Sequence, residues 1–456
     1  QYVPSPKTIF RNTYKLLPGH YLIYDGQNLI DQTFWDLPGI VEPSNGGSRF
    51  CEEEEFDRLE NLITTAVSDR LVSDVPLGAL LSGGIDSSLV VALMQKVSSD
   101  PVRTFSIGFK EWGYNEAPWA AEVAKHLGTN HTELYVTPAD AMRVIPRLPE
   151  IYDEPFADSS GIPTFLVSQL ARSQVIVALS GDGGDEQFAG YVRYWTTRSM
   201  ANSFQRLPIS IRKALSGILN TIPPQWVEKV YLPWKEIFPQ RYRVANFQDK
   251  WQKLINLLRY TRVSELYRMT ICLWSEEELG ILLKKDLLAS RFEEIFRETE
   301  RLPLLTRLMR VDLKTYLPDA MLTKVDRASM AVSLEVRVPL LDHRVVEYTS
   351  GLSEVLKYRN GTGKYILKQL LARYVPKKLF ERPKMGFGVP IDQWLRIDLK
   401  VLLLDYLSSN RLKREGFFDQ KLVEEKVKEH LSGRLNHKDF LWSLLIWEMW
   451  RERWLE

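Results

Sequence analysis

The sequence predicts an α/β protein: a parallel sheet with helices on both faces, plus a largely helical carboxyl-terminal part. Three observations carry that prediction. Short apolar runs alternate with helix-period segments between residues 77 and 179, the pattern of a parallel sheet covered by helices. Two of the apolar runs end in Gly-rich loops, "SGGIDSS" at 82–88 and "SGDGGDE" at 180–186. Beyond about residue 190 strand signals fade and helix-like text dominates.

Taken in order, residues 1–37 read as short strands and turns, with "HYLIYDG" alternating and Asp25-Gly26 a hairpin turn signal. Residues 38–51 are rich in Pro, Gly and Ser and read as a linker. From Glu52, residues Phe56, Leu59, Leu62, Ile63, Ala66, Val67 and Leu71 repeat near 3.6 and predict a helix. The four acids at 52–55 suit its amino end. Strands are then expected at Leu77–Leu81, Arg103–Phe109, His131–Val136 and Val175–Leu179. Helices are expected at Ser87–Val97, at Asn115–Leu127 with Asn115 as N-cap, at Ala139–Tyr152 and at Ile162–Ser173. A Trp-rich amphipathic helix is expected near Phe440–Trp454.

The chain has 456 residues, enough for two or three domains. Its net charge of +2 gives no reason to expect nucleic acid or an anionic membrane as main partner. No apolar run reaches the roughly 18 residues of a membrane span. The two cysteines, Cys51 and Cys272, lie far apart, which argues against a disulfide framework or a zinc site and fits a reducing, cytoplasmic compartment. The chain starts with Gln1, so a piece of a longer product or a processed form is expected.

The loop at 82–88 follows a strand and opens a helix. Backbone N–H groups at a helix amino end favour an anion, and Gly83 and Gly84 allow close approach of a phosphate. Ser82, Ser87 and Ser88 add hydroxyl donors. There is no Walker lysine and no G-x-G-x-x-G. Asp86 repels a phosphate unless a cation lies between them, and Mg²⁺ is usually held by one or two carboxylates plus phosphate oxygens. On its own this loop reads better as a helix start with ordinary Ser and Asp caps. The second loop, Ser180 to Glu186, projects to the same sheet edge, where open parallel sheets bind ligands. Asp86 and Asp185 could share one Mg²⁺ there; a tight acidic surface turn is the alternative. In "RPKMGFGVP" (382–390), Lys384 could neutralise charge developing on a phosphate or tetrahedral carbon, though a surface lysine in a Pro/Gly loop is commoner. Asp326, Arg327, Glu335 and Arg337 read as a buried ion-pair network supporting the site.

These stretches carry a resemblance. "LSGGIDSS" is similar to the pyrophosphate loop of N-type ATP pyrophosphatases. Together with "LSGDGGDEQFAGY" (179–191), "KVDRASMAVSLEVRVPLLD" (324–342), "GKYILK" (363–368) and "RPKMGFGVP", it resembles the synthetase domain of glutamine-hydrolysing asparagine synthetases. Residues 2–35 resemble the tail of that family's glutaminase domain, whose remainder and nucleophilic cysteine are not in this sequence. The resemblance implies a glutaminase-type tail over 1–37, a linker over 38–51, an ATP-pyrophosphatase domain over 52–400 with an adenine-nucleotide-hydrolase-like fold, and a helical extension over 401–456.

It further implies ATP and Mg²⁺, with a carboxylate (aspartate first) and ammonia as substrates. A glutaminase domain is expected upstream or in trans, and a homodimer is a candidate assembly. Ser82, Gly83, Gly84, Asp86 and Ser87 match the pyrophosphate loop, and Asp86 and Asp185 the Mg²⁺ carboxylates. Leu81, Ile107, Ser180 and Gly181 match adenosine contacts. Lys384 matches the lysine of the adenylation transition state. Asp182 stands where well-studied members carry Glu at a position tied to adenylate formation, which keeps other acceptors, such as a sugar uronic acid, in view. A non-catalytic ATP-binding module is the remaining alternative.

Overall fold

The computed structural model describes residues 1–39, 51–109, 115–205, 207–223, 262–274, 276–283, 291–382 and 388–456, with residues 226, 227, 229, 251, 255 and 257–260. They fall into two compact units. One comprises residues 1–191, 289–391 and 443–456; the other comprises 192–288 and 392–442.

The first unit opens with an antiparallel hairpin, β1 (His20–Tyr24) and β2 (Leu29–Thr33). Its turn is where Asp25-Gly26 predicts it. The Asp25 carboxylate accepts from the Gln27 and Asn28 N–H groups at 2.9 and 2.7 Å, an Asx-type turn. Helix α1 (Glu52–Leu71) buries Phe56, Leu59, Ile63, Ala66 and Val67, one face of the predicted period.

The main sheet has strands β3 (Leu77–Leu80), β4 (Arg103–Phe109), β5 (Asn130–Val136), β6 (Val177–Leu179) and β7 (Glu335–Arg337), in spatial order β5-β4-β3-β6-β7. Every neighbouring pair is parallel. From β3 the chain moves outward through helices α2 (Ile85–Val97) and α3 (Ala117–Leu127) to β4 and β5. It then crosses back through helix α4 (Gly161–Arg172) to β6 on the other side of β3. The order therefore reverses beside β3, and right-handed crossovers in opposite directions place α2 and α4 on opposite faces. One apolar cluster joins α1, α2 and α3 to residues 366–371.

The structure departs from the expected elements in three places. The helix expected from Asn115 starts at Ala117, and Asn115 instead accepts from the Ala117 N–H at 3.2 Å, just ahead of Pro118. The helix expected over 139–152 is three pieces, Pro138–Val144, Ile145–Arg147 and Leu148–Tyr152; Pro146 and Pro149 supply no N–H to a continuous ladder. The fading of strand signals beyond residue 190 hides β7, whose three residues are too few to show a period.

The second unit is helical in its described residues, including Val192–Gln205, Ile209–Asn220, Val263–Ile271, Glu276–Leu283, Lys400–Tyr406, Ser409–Glu415 and Gln420–Leu431. Within it Tyr194 stacks on Tyr267 and Trp274 on Phe440, with ring centroids 6.2 and 3.8 Å apart. The Trp-rich helix runs from Lys438 to Leu455. Among the described residues no helix is long and apolar enough to cross a membrane.

Candidate active site

β3 and β6 are adjacent and parallel, so the two Gly-rich loops leave the sheet side by side at its carboxyl edge. Below them, Leu81 and Ile107 are buried, with 1% and 3% exposure. The Leu81 N–H donates to the Phe105 carbonyl at 2.9 Å, which continues the β3–β4 ladder into the loop. Ser82 and Ser87 bridge the first loop through their hydroxyls at 2.9 Å, and the Gly84 N–H donates to Ser82 Oγ at 3.2 Å. Helix α2 has no side-chain cap, so its first-turn N–H groups face that edge.

The second loop lies against the first. A β-carbon on Gly181 would sit 2.5 Å from the Ser87 backbone nitrogen, so only glycine permits this approach. Ser180 is buried, its N–H donates to the Arg337 carbonyl at 2.9 Å, and its hydroxyl donates to the Asp182 carboxylate at 2.7 Å. Helix α5 (Gly184–Gln187) follows and carries Asp185 in its first turn.

Asp86 from one loop and Asp185 from the other meet on Lys364. Its Nζ donates to Asp86 Oδ2 and lies 2.8 Å from Asp185 Oδ1. Lys364 is buried, adopts the left-handed conformation at φ 58°, and precedes helix α6 (Tyr365–Ala372). Its own N–H donates to the Phe188 carbonyl at 2.7 Å, which fixes that backbone on the second loop. A β-carbon on Gly190 would collide with both the Asp185 carboxylate and the Lys364 stem, so the bridge requires glycine there too. Burial alone would depress the Lys364 ammonium; Asp185 and Asp86 outweigh it and hold the group above the usual lysine range. Beneath them burial, aided by Asp185, pushes the Glu186 carboxyl up to about 8. Tyr191 donates to Glu186 at 2.8 Å.

A second cation faces the first loop from its other side. Arg382 Nη2 donates to the Ser82 carbonyl at 3.2 Å and lies 3.5 Å from Glu116, with the guanidinium 5.3 Å from the Trp119 ring centroid. Lys384, two residues on, lies outside the described residues.

The stretch 153–160 leads into α4. This helix runs antiparallel to the strand it feeds, so its start is also at the carboxyl edge. There Asp158 accepts from the Ser160 N–H at 2.9 Å and from its hydroxyl at 2.7 Å. Buried Lys324, from helix α-segment Thr323–Met330, donates to Ser160 Oγ at 2.9 Å and lies 3.5 Å from Asp158. Burial raises the Asp158 carboxyl, but Lys324 and Ser160 outweigh it and keep the group below the ordinary carboxylate range.

The structure thus brings Ser82, Gly83, Gly84, Asp86, Ser87, Ser180, Gly181 and Asp185 to one edge, with Leu81 and Ile107 beneath and Asp182 turned onto Ser180. The expected buried network of Asp326, Arg327, Glu335 and Arg337 does not form. Arg327 pairs with Asp326 at 3.2 Å and Arg337 with Glu335 at 2.6 Å, as separate pairs whose acids are both 55% exposed. Arg337 instead donates to the Arg70 and Val72 carbonyls at 2.8 Å each, at the end of α1. Sequence alone does not single out Lys364, Arg382 or Lys324. Each lies inside a motif quoted for the resemblance; Lys364 and Arg382 border a Gly or a Pro there, whereas Lys324, between Thr323 and Val325, carries no local mark.

Among the described residues no three His, Cys, Asp or Glu side chains gather into a metal cage. Two carboxylates beside a phosphate-type loop are nonetheless the donor set Mg²⁺ takes when phosphate oxygens complete its shell. Asp86 and Asp185 fit such an ion.

Comparison with known proteins agrees with this architecture. The family model described as asparagine synthase matches residues 58–452. Asparagine synthetase [glutamine-hydrolyzing] 1 of Bacillus subtilis (strain 168) is 28% identical over 99% of this chain and 67% of its own length. Asparagine synthetase [glutamine-hydrolyzing] 3 of the same organism is 24% identical over 83% of this chain and 55% of its own. Amidase chyE of Penicillium rubens is 24% identical over 93% and 65%. The chain therefore spans about two thirds of the length of the fuller matches, 67% and 66%. With both Gly-rich loops in register at one sheet edge and the family model covering most of the sequence, the chain belongs to the asparagine synthase family.

Proposed function

We propose that this chain is the synthetase part of an ATP-dependent amidotransferase, with the aspartate side chain as first-choice acceptor and asparagine as product. The observation that carries this reading is the pairing of the two Gly-rich loops with the Asp86–Lys364–Asp185 cluster at the β3–β6 edge. That arrangement suits holding a departing pyrophosphate rather than delivering a γ-phosphoryl group.

An acceptor carboxylate oxygen attacks the α-phosphorus of ATP, and the bond from that phosphorus to the bridging oxygen breaks. Pyrophosphate leaves against the first-turn N–H groups of α2 and the hydroxyls of Ser82 and Ser87. Leu81, Ile107, Ser180 and Gly181 border the adenosine. Mg²⁺, bound at Asp86 and Asp185, would neutralise charge on the phosphate oxygens. Lys384 is assigned the charge that develops at the α-phosphorus. Ammonia then attacks the acyl carbon, a proton leaves its nitrogen, and AMP departs. Positioning and charge neutralisation supply most of the rate. Ammonia is expected from a glutaminase domain of which residues 1–37 form the tail, and the cytoplasm, where ATP is available, is the expected compartment.

A second acceptor class is favoured by one observation. Asp182, tied to the Ser180 hydroxyl by a 2.7 Å hydrogen bond, is one methylene shorter than the glutamate that the resemblance expects there. ATP–pyrophosphate exchange tests both readings. Exchange dependent on aspartate and Mg²⁺ supports asparagine formation. Exchange with a uronic acid but not aspartate supports the second class. No exchange with any carboxylate sinks both.

A further inference from the structure

We propose that Lys364 is a built-in counter-ion that competes with bare divalent metal at Asp86 and Asp185, so that the metal enters efficiently only when polyphosphate arrives with it. The inference rests on the reading of those two carboxylates as metal ligands. It goes beyond that reading by giving the site a gate made of this chain's own lysine.

The geometry is direct. Lys364 binds one oxygen of Asp86 and lies 2.8 Å from one oxygen of Asp185. A dication entering between the acids meets Lys364 at contact distance, with only 8% of that side chain exposed to water for screening. The lysine has little freedom to withdraw. Its backbone is pinned to Phe188 through a 2.7 Å hydrogen bond, and its stem lies against Gly190. A metal that displaces it leaves a buried cation in need of another anion. A polyphosphate supplies several anionic oxygens at once, satisfying metal and lysine together. The cost of moving Lys364 then falls on bare metal and not on the metal–nucleotide complex.

The test uses Mn²⁺ alone, without nucleotide or acceptor, titrated into the whole chain and read by the spin-resonance signal of free Mn²⁺. Lys364→Met is expected to bind Mn²⁺ roughly tenfold more tightly than the unaltered protein. Lys364→Arg, which keeps the charge, is expected to stay near the unaltered value. Lys364→Gln replaces the Met variant should that one fail to fold by circular dichroism. Binding as weak as or weaker than wild type in the neutral variants overturns the inference. Asp86→Asn separates the two layers. If it leaves Mn²⁺ binding unchanged, the ligand assignment fails; if it weakens binding while Lys364→Met does not tighten it, only the counter-ion fails. Neither readout requires the chain to adenylate anything.

Discussion

Lys364 and Lys324 are buried to the same degree at the carboxyl edge of the sheet, each with 8% of its side chain exposed, yet their surroundings differ. Lys364 joins two carboxylates from two different loops. Lys324 meets one carboxylate and one hydroxyl from a single loop, and that carboxylate already accepts two bonds from Ser160. The first cluster ties two loops together; the second satisfies one loop's carboxylate within that loop. Burial of a lysine alone therefore says little about its task. Which elements it bridges says more. On this reading the Lys364 side should govern chemistry and the Lys324 side should govern shape.

The largest expected difference is catalytic. Asp86→Asn should lower acceptor-dependent ATP–pyrophosphate exchange by about 10²–10³-fold, the usual scale for losing a transition-state charge contact. Asp158→Asn should lower it far less. Equal losses in the two variants would erase the distinction.

Next comes stability. Lys324→Met leaves Asp158 buried without its cation and should destabilise the chain by about 3 kcal/mol in urea unfolding. The double variant Lys324→Met/Asp158→Asn should recover part of that loss, because the two residues act as one unit. Lys364→Met leaves Asp86 and Asp185, 15% and 19% exposed, without that cation and should cost a similar amount. A smaller effect is expected from Gly181→Ala, at about 1–3 kcal/mol, because its β-carbon meets the Ser87 backbone and not a flexible side chain. The same variant should raise the KM for ATP by separating the loops. An unchanged KM with lowered stability would mean that the loops do not act together.

The contrast also marks where sequence stops being readable. β3 and β4 announce themselves as apolar runs, and "SGGIDSS" and "SGDGGDE" carry their glycines in plain view. β7 does not: three residues, Glu335 to Arg337, show no period, and only pairing with β6 makes them a strand. The acids Asp86 and Asp185 stand out because a carboxylate beside a phosphate loop demands an explanation. Lysines do not, because a lysine in text is most often a solvated one. What buries Lys364 lies 278 residues away at Asp86, and the Ser82 carbonyl that receives Arg382 lies 300 residues away. No local window contains such partners. The expected network of Asp326, Arg327, Glu335 and Arg337 fails for the same reason. Sequence shows charges close together, but whether they turn inward depends on what packs over them.

The smallest predicted effect concerns acid, and it isolates the Lys324 side. Asp158 is held below the ordinary carboxylate range in the folded chain, despite burial, by Lys324 and Ser160. Unfolded, its carboxyl returns to about 3.9. The unfolded chain therefore binds the proton first as pH falls, so the contribution of Asp158 to stability is fully present above that value. It is lost as pH drops through it toward the folded value, mostly below about pH 5. Urea midpoints measured from pH 6 to pH 3 should fall with acid in the unaltered chain. In Asp158→Asn the midpoint should start lower and fall less steeply, because one proton-linked group has been removed. Lys364→Met should leave that difference between the two chains intact, since it touches neither Asp158 nor Ser160. If instead the Lys364 variant flattens the acid limb as much as Asp158→Asn does, the two clusters are coupled through the sheet edge and cannot be assigned separately to chemistry and shape.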